Sequence, residues 1–157
     1  MIPPPDAAET LRAPFGGTVR QFSVFIENKA GRLHELVDAL IRSNVHIMAF
    51  CMIDTTDSAI LRLVVDYPDL AEAVLNERFF AHDTVPVVAV QIPGEHDLGK
   101  ITSALARAEI NIHYLYSFLA RPGGCCGIVL RLEDNELGAE VLRRSGLAVL
   151  DQNDIAR

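Results

Sequence analysis

Tryptophan is absent from this 157-residue chain, and cysteine and methionine appear three times each. The cysteines are Cys51, Cys125 and Cys126. An odd number with one adjacent pair gives no disulfide framework. It also lacks the two-to-four-residue spacing of zinc sites, so small hydrophobes inside strands are expected here. Mean hydropathy is +0.22, yet no apolar run reaches the roughly 18 residues of a membrane-spanning helix. Met1-Ile2-Pro3-Pro4-Pro5-Asp6 carries neither a basic flank nor an apolar core segment, so no secretory signal is read and a cytoplasmic location is expected. Positive charge is short as well. Lys plus Arg number 14 against 21 Asp plus Glu, a net charge of −7. Without a basic block to displace counterions, nucleic acid is excluded as a partner and an anionic membrane is disfavoured. No Gly-x-Ser-x-Gly, Walker A or Gly-x-Gly-x-x-Gly pattern occurs. His34 and Glu35 open a helix without the second His of a zinc protease. No catalytic residue, metal or cofactor is therefore assigned.

What the chain does have is a repeat, the first thing to search for because it decides the fold. Moved forward by 65 positions, Leu33, Ala39, Leu40, Arg42 and Ile47 meet Leu98, Ala104, Leu105, Arg107 and Ile112. Leu36 and Val45 meet Ile101 and Ile110. At an offset of 67, Leu70, Val74 and Leu75 meet Leu137, Val141 and Leu142. The two extra residues fall in Arg121-Pro122-Gly123-Gly124, a turn that tolerates insertion.

Each copy reads β-α-β-β-α-β, the ferredoxin-like split unit. In the first, strand Phe22 to Ile26 precedes a helix whose Leu33, Leu36, Val37, Leu40 and Ile41 share one face. Strands follow at 47–53 and 60–65, then a helix from Pro68 and a strand over 79–85. The second copy repeats this with strands at 87–92, 112–119, 127–132 and 147–150 and helices at 98–108 and 136–144. The expected class is α+β. Residues 1–18 read as a flexible tail, 19–85 as unit one and 86–157 as unit two, with only Pro86 between the last strand of one and the first of the next.

An antiparallel sheet with helices on one face should alternate apolar and polar residues. Here Ile47, Ala49, Cys51 and Ile53 alternate with Met48, Phe50 and Met52. In the second copy Ile112, Tyr114, Tyr116 and Phe118 oppose His113, Leu115, Ser117 and Leu119. Both faces are apolar, so another sheet, a ligand or a partner must cover the second one. A homodimer is expected on that ground.

The turn Glu27-Asn28-Lys29-Ala30-Gly31-Arg32-Leu33 is the candidate site. Glycine lets backbone approach a ligand, and the following helix offers unpaired N–H groups at its positive end, a place for a carboxylate or phosphate. This turn resembles the Asn-x-Pro-Gly-x-Leu signature of the ACT domain. Ser43-Asn44-Val45-His46-Ile47 and Ala108-Glu109-Ile110-Asn111-Ile112 resemble that family's entry into its second strand. Asp54-Thr55-Thr56-Asp57, Ile60-Leu61-Arg62-Leu63 and Tyr114-Leu115-Tyr116-Ser117-Phe118 are similar to small bacterial double-ACT proteins.

The resemblance implies a non-catalytic, allosteric regulatory protein that binds a free amino acid at the junction of its two units. It implies units side by side, helices on one face, paired through their second strands into one eight-stranded sheet. By position, Asn28, Lys29, Ala30, Gly31, Arg32 and Leu33 form one half of the ligand site. Asn111, Ile112 and Tyr114 form the other. Ala30 departs from the family's Pro, and His46 from its Asn. In the second copy, Pro93-Gly94-Glu95-His96-Asp97-Leu98 has no Gly just before the expected helix, and its Asp97 suits an N-cap, so one good site per chain is expected. An enzyme of amino-acid metabolism is the natural partner. The alternative is a regulatory subunit or interaction module that binds no ligand.

Overall fold

The computed structural model describes residues 18–156; the expected tail, but for Thr18, lies outside them. The element order is β1 (Val19–Glu27), α1 (Arg32–Arg42), β2 (Ile47–Asp54), β3 (Ser58–Val65), α2 (Pro68–Glu77), β4 (His82–Gln91), α3 (Glu95–Arg107), β5 (Ile112–Ser117), β6 (Gly127–Leu132), α4 (Asn135–Arg144), β7 (Val149–Leu150) and α5 (Gln152–Ile155). The α+β class and the doubled βαββαβ order are those expected. No helix among the described residues is long and apolar enough to cross a membrane.

One continuous antiparallel sheet of seven strands carries both units, in the order β2-β3-β1-β4-β6-β5, with β7 also on β4. The expected last strand of unit one and first strand of unit two are a single strand. Residues 82–87 of β4 pair with β1, and residues 88–91 pair with β6. Pro86 sits inside the strand, opposite Arg20. The units are therefore joined chiefly through β4, with their second strands meeting only at their ends, and the sheet has seven strands, not eight.

The sheet also curls until its two ends meet. Ala49 of β2 bridges Phe118 just after β5, and the Leu119 N–H donates to the Met48 carbonyl at 2.7 Å. Helices remain on the outer face. Phe22, Val24, Ile26, Leu61 and Leu63 pack under α1 and α2, while Val88, Val90, Leu130 and Leu132 pack under α3 and α4. The inner faces close on each other around Val19, Met48, Ala49, Val64, Val87, Ala89, Tyr116, Val129, Leu150 and Ile155. The second apolar face is thus covered within one chain, which removes the ground on which a homodimer was expected.

A β-bulge in each unit makes this possible. Register shifts between Ile47 and Ala49, and at the equivalent place between Ile112 and Tyr114. Each bulge adds one residue, so strict alternation fails there. Ile47 and Ile112 lie against the helices, whereas Ala49, Cys51, Tyr114, Tyr116 and Phe118 face the inner core. The expected grouping of Ile47 with Ala49, and of Ile112 with Tyr114, is corrected accordingly. The cysteine expectation holds only for Cys51, because Cys125 and Cys126 lie in the turn before β6.

One polar clamp crosses the inner core. Gln21 is fully buried. Its Nε2 donates to Tyr114 Oη at 2.7 Å, and Tyr116 Oη donates to its Oε1 at 2.6 Å. Arg62 of unit one lies 3.5 Å above the centre of the Tyr114 ring. A buried amide with both functions satisfied tolerates one register and no other.

The long helices end alike. Asn44, Phe79, Glu109 and Gly146 all have positive φ, at 60°, 58°, 56° and 83°. After each, the N–H of Val45, Phe80, Ile110 or Leu147 reaches back to the carbonyl of Leu40, Leu75, Leu105 or Leu142. This is the Schellman closure, with its apolar residue buried. Only Gly146 meets it without steric cost.

Two expectations follow. Phe79 is 90% exposed, so Phe79→Gly removes left-handed strain without losing packing. It should raise stability by about 1 kcal/mol, and hence the melting temperature by about 2–4 °C. Burial, and then the neighbouring Tyr114, hold the Tyr116 hydroxyl well above the ordinary phenol range. The unfolded chain releases this proton near pH 10 and the folded chain does not, so above that pH the unfolded state binds fewer protons. Stability is unaffected below about pH 10 and falls as pH rises further. Denaturant midpoints measured from pH 8 to 11 should show the decline in the native protein and a smaller one in Tyr116→Phe.

Candidate functional site

The turn from β1 into α1 is built around Gly31, at φ 91° and ψ −19°, which occupies the N-cap position without any side-chain cap. The Gly31 carbonyl accepts from the Glu35 N–H at 3.0 Å, and the Arg32 N–H reaches the Lys29 carbonyl at 3.3 Å. The N–H groups of Leu33 and His34 have no acceptor among the described residues. They are orphan donors at the positive end of an eleven-residue helix.

Carboxylates surround this turn without filling it. Asn28 Nδ2 donates to Asp54 Oδ1 at 3.2 Å, tying the turn to the end of β2. Lys29 pairs with Glu27 at 3.2 Å. Arg32 pairs with Glu35 at 2.6 Å and lies 4.7 Å above the Phe80 ring. The turn therefore sets open N–H donors beside an exposed aspartate. Groups of opposite sign, one donating and one accepting, are what a zwitterion requires.

The rest of the expected site lies elsewhere. The backbone N–H and Nδ2 of Asn111 both donate to Glu133 Oε2, at 3.3 and 3.0 Å. Ile112 packs half-buried in the helix-side core of unit two. Tyr114 is held by Gln21 and Arg62. No hydrogen bond, ion pair or ring contact among the described residues joins these three to the residues from Asn28 to Leu33.

Residues 17–157 match the family model of the ACT domain pair. The chain belongs to that family. A Bacteroides thetaiotaomicron protein of solved structure is 30% identical, with a TM-score of 0.81 over 90% of this chain and 98% of that one. The ligand-free regulatory subunit of aspartate kinase from Thermus thermophilus is 13% identical, with a TM-score of 0.55 over 85% and 95% of the two chains. Its Thermus flavus counterpart is 12% identical, at 0.53 over 83% and 94%. The two Thermus structures show a shared fold. No curated protein matches the chain. An ACT domain pair is a regulatory, ligand-binding module.

The two units of this ACT domain pair differ at the matching helix start. α3 begins at Glu95 with Gly94 in the N-cap position, so Asp97 is the third helical residue and not the cap. Its Oδ2 accepts from the Gly94 N–H at 3.0 Å, and Lys100 pairs with it at 3.2 Å. The hydrogen bond from Lys100, and then that from Gly94, hold the Asp97 carboxyl below the usual carboxylate range. At the second helix start the chain's own carboxylate accepts from the N-cap N–H; at the first, Glu35 is turned to Arg32 and no carboxylate accepts from the Gly31 N–H among the described residues.

One arrangement escaped the reading of the sequence. Asp66, at the end of β3, is fully buried and accepts from His46 N and His46 Nδ1, both at 2.8 Å, and from Tyr67 N at 3.0 Å. The only sequence signal is a lone acid closing the apolar run Leu63-Val64-Val65. His46 in turn lines a cavity of about 400 Å³ between α1 and β2, with Leu33, Val37, Ile41, Phe50, Leu61 and Leu63.

A Cβ on Gly31 would meet nothing within 4 Å. The position is thus demanding in φ and undemanding in space. Gly31→Ala should cost about 1 kcal/mol through backbone strain alone, readable as a lower urea midpoint at unchanged slope.

Proposed function

We propose that this ACT domain pair is a regulatory sensor that binds a free amino acid at the Asn28–Leu33 turn. The observation that carries the reading is the contrast between the two helix starts. In α3 an internal carboxylate, Asp97, sits on the N-cap N–H. In α1 no carboxylate accepts from the corresponding Gly31 N–H, and the Leu33 and His34 N–H groups are open as well among the described residues, which suits the carboxylate of a ligand. In this reading Asp54, which is hydrogen-bonded to Asn28, takes the ammonium group of the same ligand. Gly31 lets the ligand approach the backbone; Lys29 and Arg32, paired with Glu27 and Glu35, flank it.

Asn111, Ile112 and Tyr114 are the proposed second half of the site, supplied across a contact between units or by a second copy in a homodimer. The regulated partner in this reading is an enzyme of amino-acid metabolism, as in the Thermus proteins, which are regulatory subunits of aspartate kinase. Regulation operates by linkage. Ligand that binds one arrangement of the pair better shifts the population toward it, and the partner reads the shift.

Thermal unfolding against each of the twenty amino acids tests this. At about 100 times its dissociation constant, a ligand adds about 2.7 kcal/mol, a rise of about 5–10 °C at this size. The shift should appear with one amino acid or a chemically related few and vanish in Gly31→Asp, which places a carboxylate at the turn. Its loss in Asn111→Ala as well would support the two-part site; its retention would confine the ligand to the turn. No shift with any amino acid would leave the ligand-free interaction module.

A further inference from the structure

We propose that the cavity between α1 and β2 is a second ligand site, for a small apolar molecule with one hydrogen-bond-donating head such as an aliphatic alcohol or an indole. α1 turns Leu36, Ala39 and Leu40 onto its own sheet and leaves the stripe from Leu33 through Val37 to Ile41 only partly covered, least of all at Ile41. Ile41 is 61% exposed and Phe50 40%. The eight steps from Leu33 to Ile41 span about 12 Å. That stripe and the Leu61–Leu63 floor enclose about 400 Å³, within the range of small-molecule sites and too little for a packed helix.

A second copy adding its strand to β2 is a poor occupant. Leu119 and Ala120 already donate to the Met48 carbonyl at 2.7 and 3.3 Å, so the outer edge of β2 is taken there by this chain. Leu119 itself stands at the cavity rim.

The polar contact is specified by His46, the one ionisable side chain lining the cavity. In the neutral ring, Nδ1 donates to the buried Asp66 carboxylate and Nε2 is left with the lone pair. Nε2 has no partner among the described residues, and so it is an acceptor for a donor on the ligand. Only Leu33 is common to the two places, through its N–H at the Gly31 turn and its side chain at the cavity; the chemistry is otherwise separate.

The test uses the full chain with 1-octanol and indole as probes and octanoate as the anionic comparator. Binding is followed by methyl NMR of Val37, Leu61 and Leu63 and by calorimetry. Both neutral probes should bind saturably, shift these methyls and move the His46 Nε2 resonance. Val37→Phe fills the cavity and should abolish the shifts. Ile41→Glu, at the exposed mouth, gives the same reading should Val37→Phe fail to fold. His46→Asn keeps a donor to Asp66 but removes Nε2, and should weaken both probes by about tenfold. Gly31→Asp should leave both affinities unchanged, whatever it does to amino-acid binding. The proposal is overturned if neither probe saturates, if binding survives Val37→Phe and Ile41→Glu, if octanoate binds more tightly than octanol, or if the methyls respond only to protein concentration, which would make the groove an interface between copies.

Discussion

A single strand holds this molecule together. β4 is ten residues long; its first part completes the sheet of unit one and its second part founds the sheet of unit two. Two ferredoxin-like units with a flexible linker would each bury one sheet face and leave the other to solvent. Here the shared strand fixes the two half-sheets in register, and the natural twist of strands then carries the ends toward each other. The curl brings β2 to the end of β5 and turns both helix-free faces inward. Gln21 sits at the middle of the enclosed space, where a methyl-only core would permit sliding. Its bonds to Tyr114 and Tyr116 convert an apolar contact into a specified one. The folding unit is accordingly the pair, because either half alone would expose its share of the inner core and lose a partner of β4.

Much of this was legible in the sequence, for physical reasons that can be named. The repeat survives because Leu36, Leu40, Ile101 and Leu105 are fully buried or nearly so, and a core position tolerates few residue types. The order of elements follows from 3.6-residue periodicity and from Pro68 at a helix start, but α3 begins at Glu95 and not at Leu98, because its first turn is polar and periodicity does not mark it. What failed did so where one residue changes the phase. The bulges at Met48 and His113 add a residue to each second strand, and no local propensity marks them. Pro86 was read as punctuation because it has no N–H to give. Its carbonyl, however, accepts from Arg131 and Asn135 at 2.9 and 2.8 Å, and the strand passes through it unbroken.

The site divides in the same way. The Gly31 turn is local, so a glycine just before a helix was legible in composition, and the structure gives it the left-handed φ of 91°. The link from Asn28 to Asp54 and the clasp of His46 by Asp66 join residues 26 and 20 positions apart. Such pairings depend on the β2–β3 hairpin and on strand order, which periodicity does not supply. Asn111 shows the converse. It is the positional counterpart of His46, but its amide is committed to Glu133 within its own unit.

Asp97 carries a last consequence. The two units match at many positions, yet among the described residues only the second has a carboxylate of its own on the N-cap N–H of its first helix. The copies are therefore not interchangeable: exchanging the two helix starts would move a fixed negative charge from one end of the shared sheet to the other, with β4 common to both.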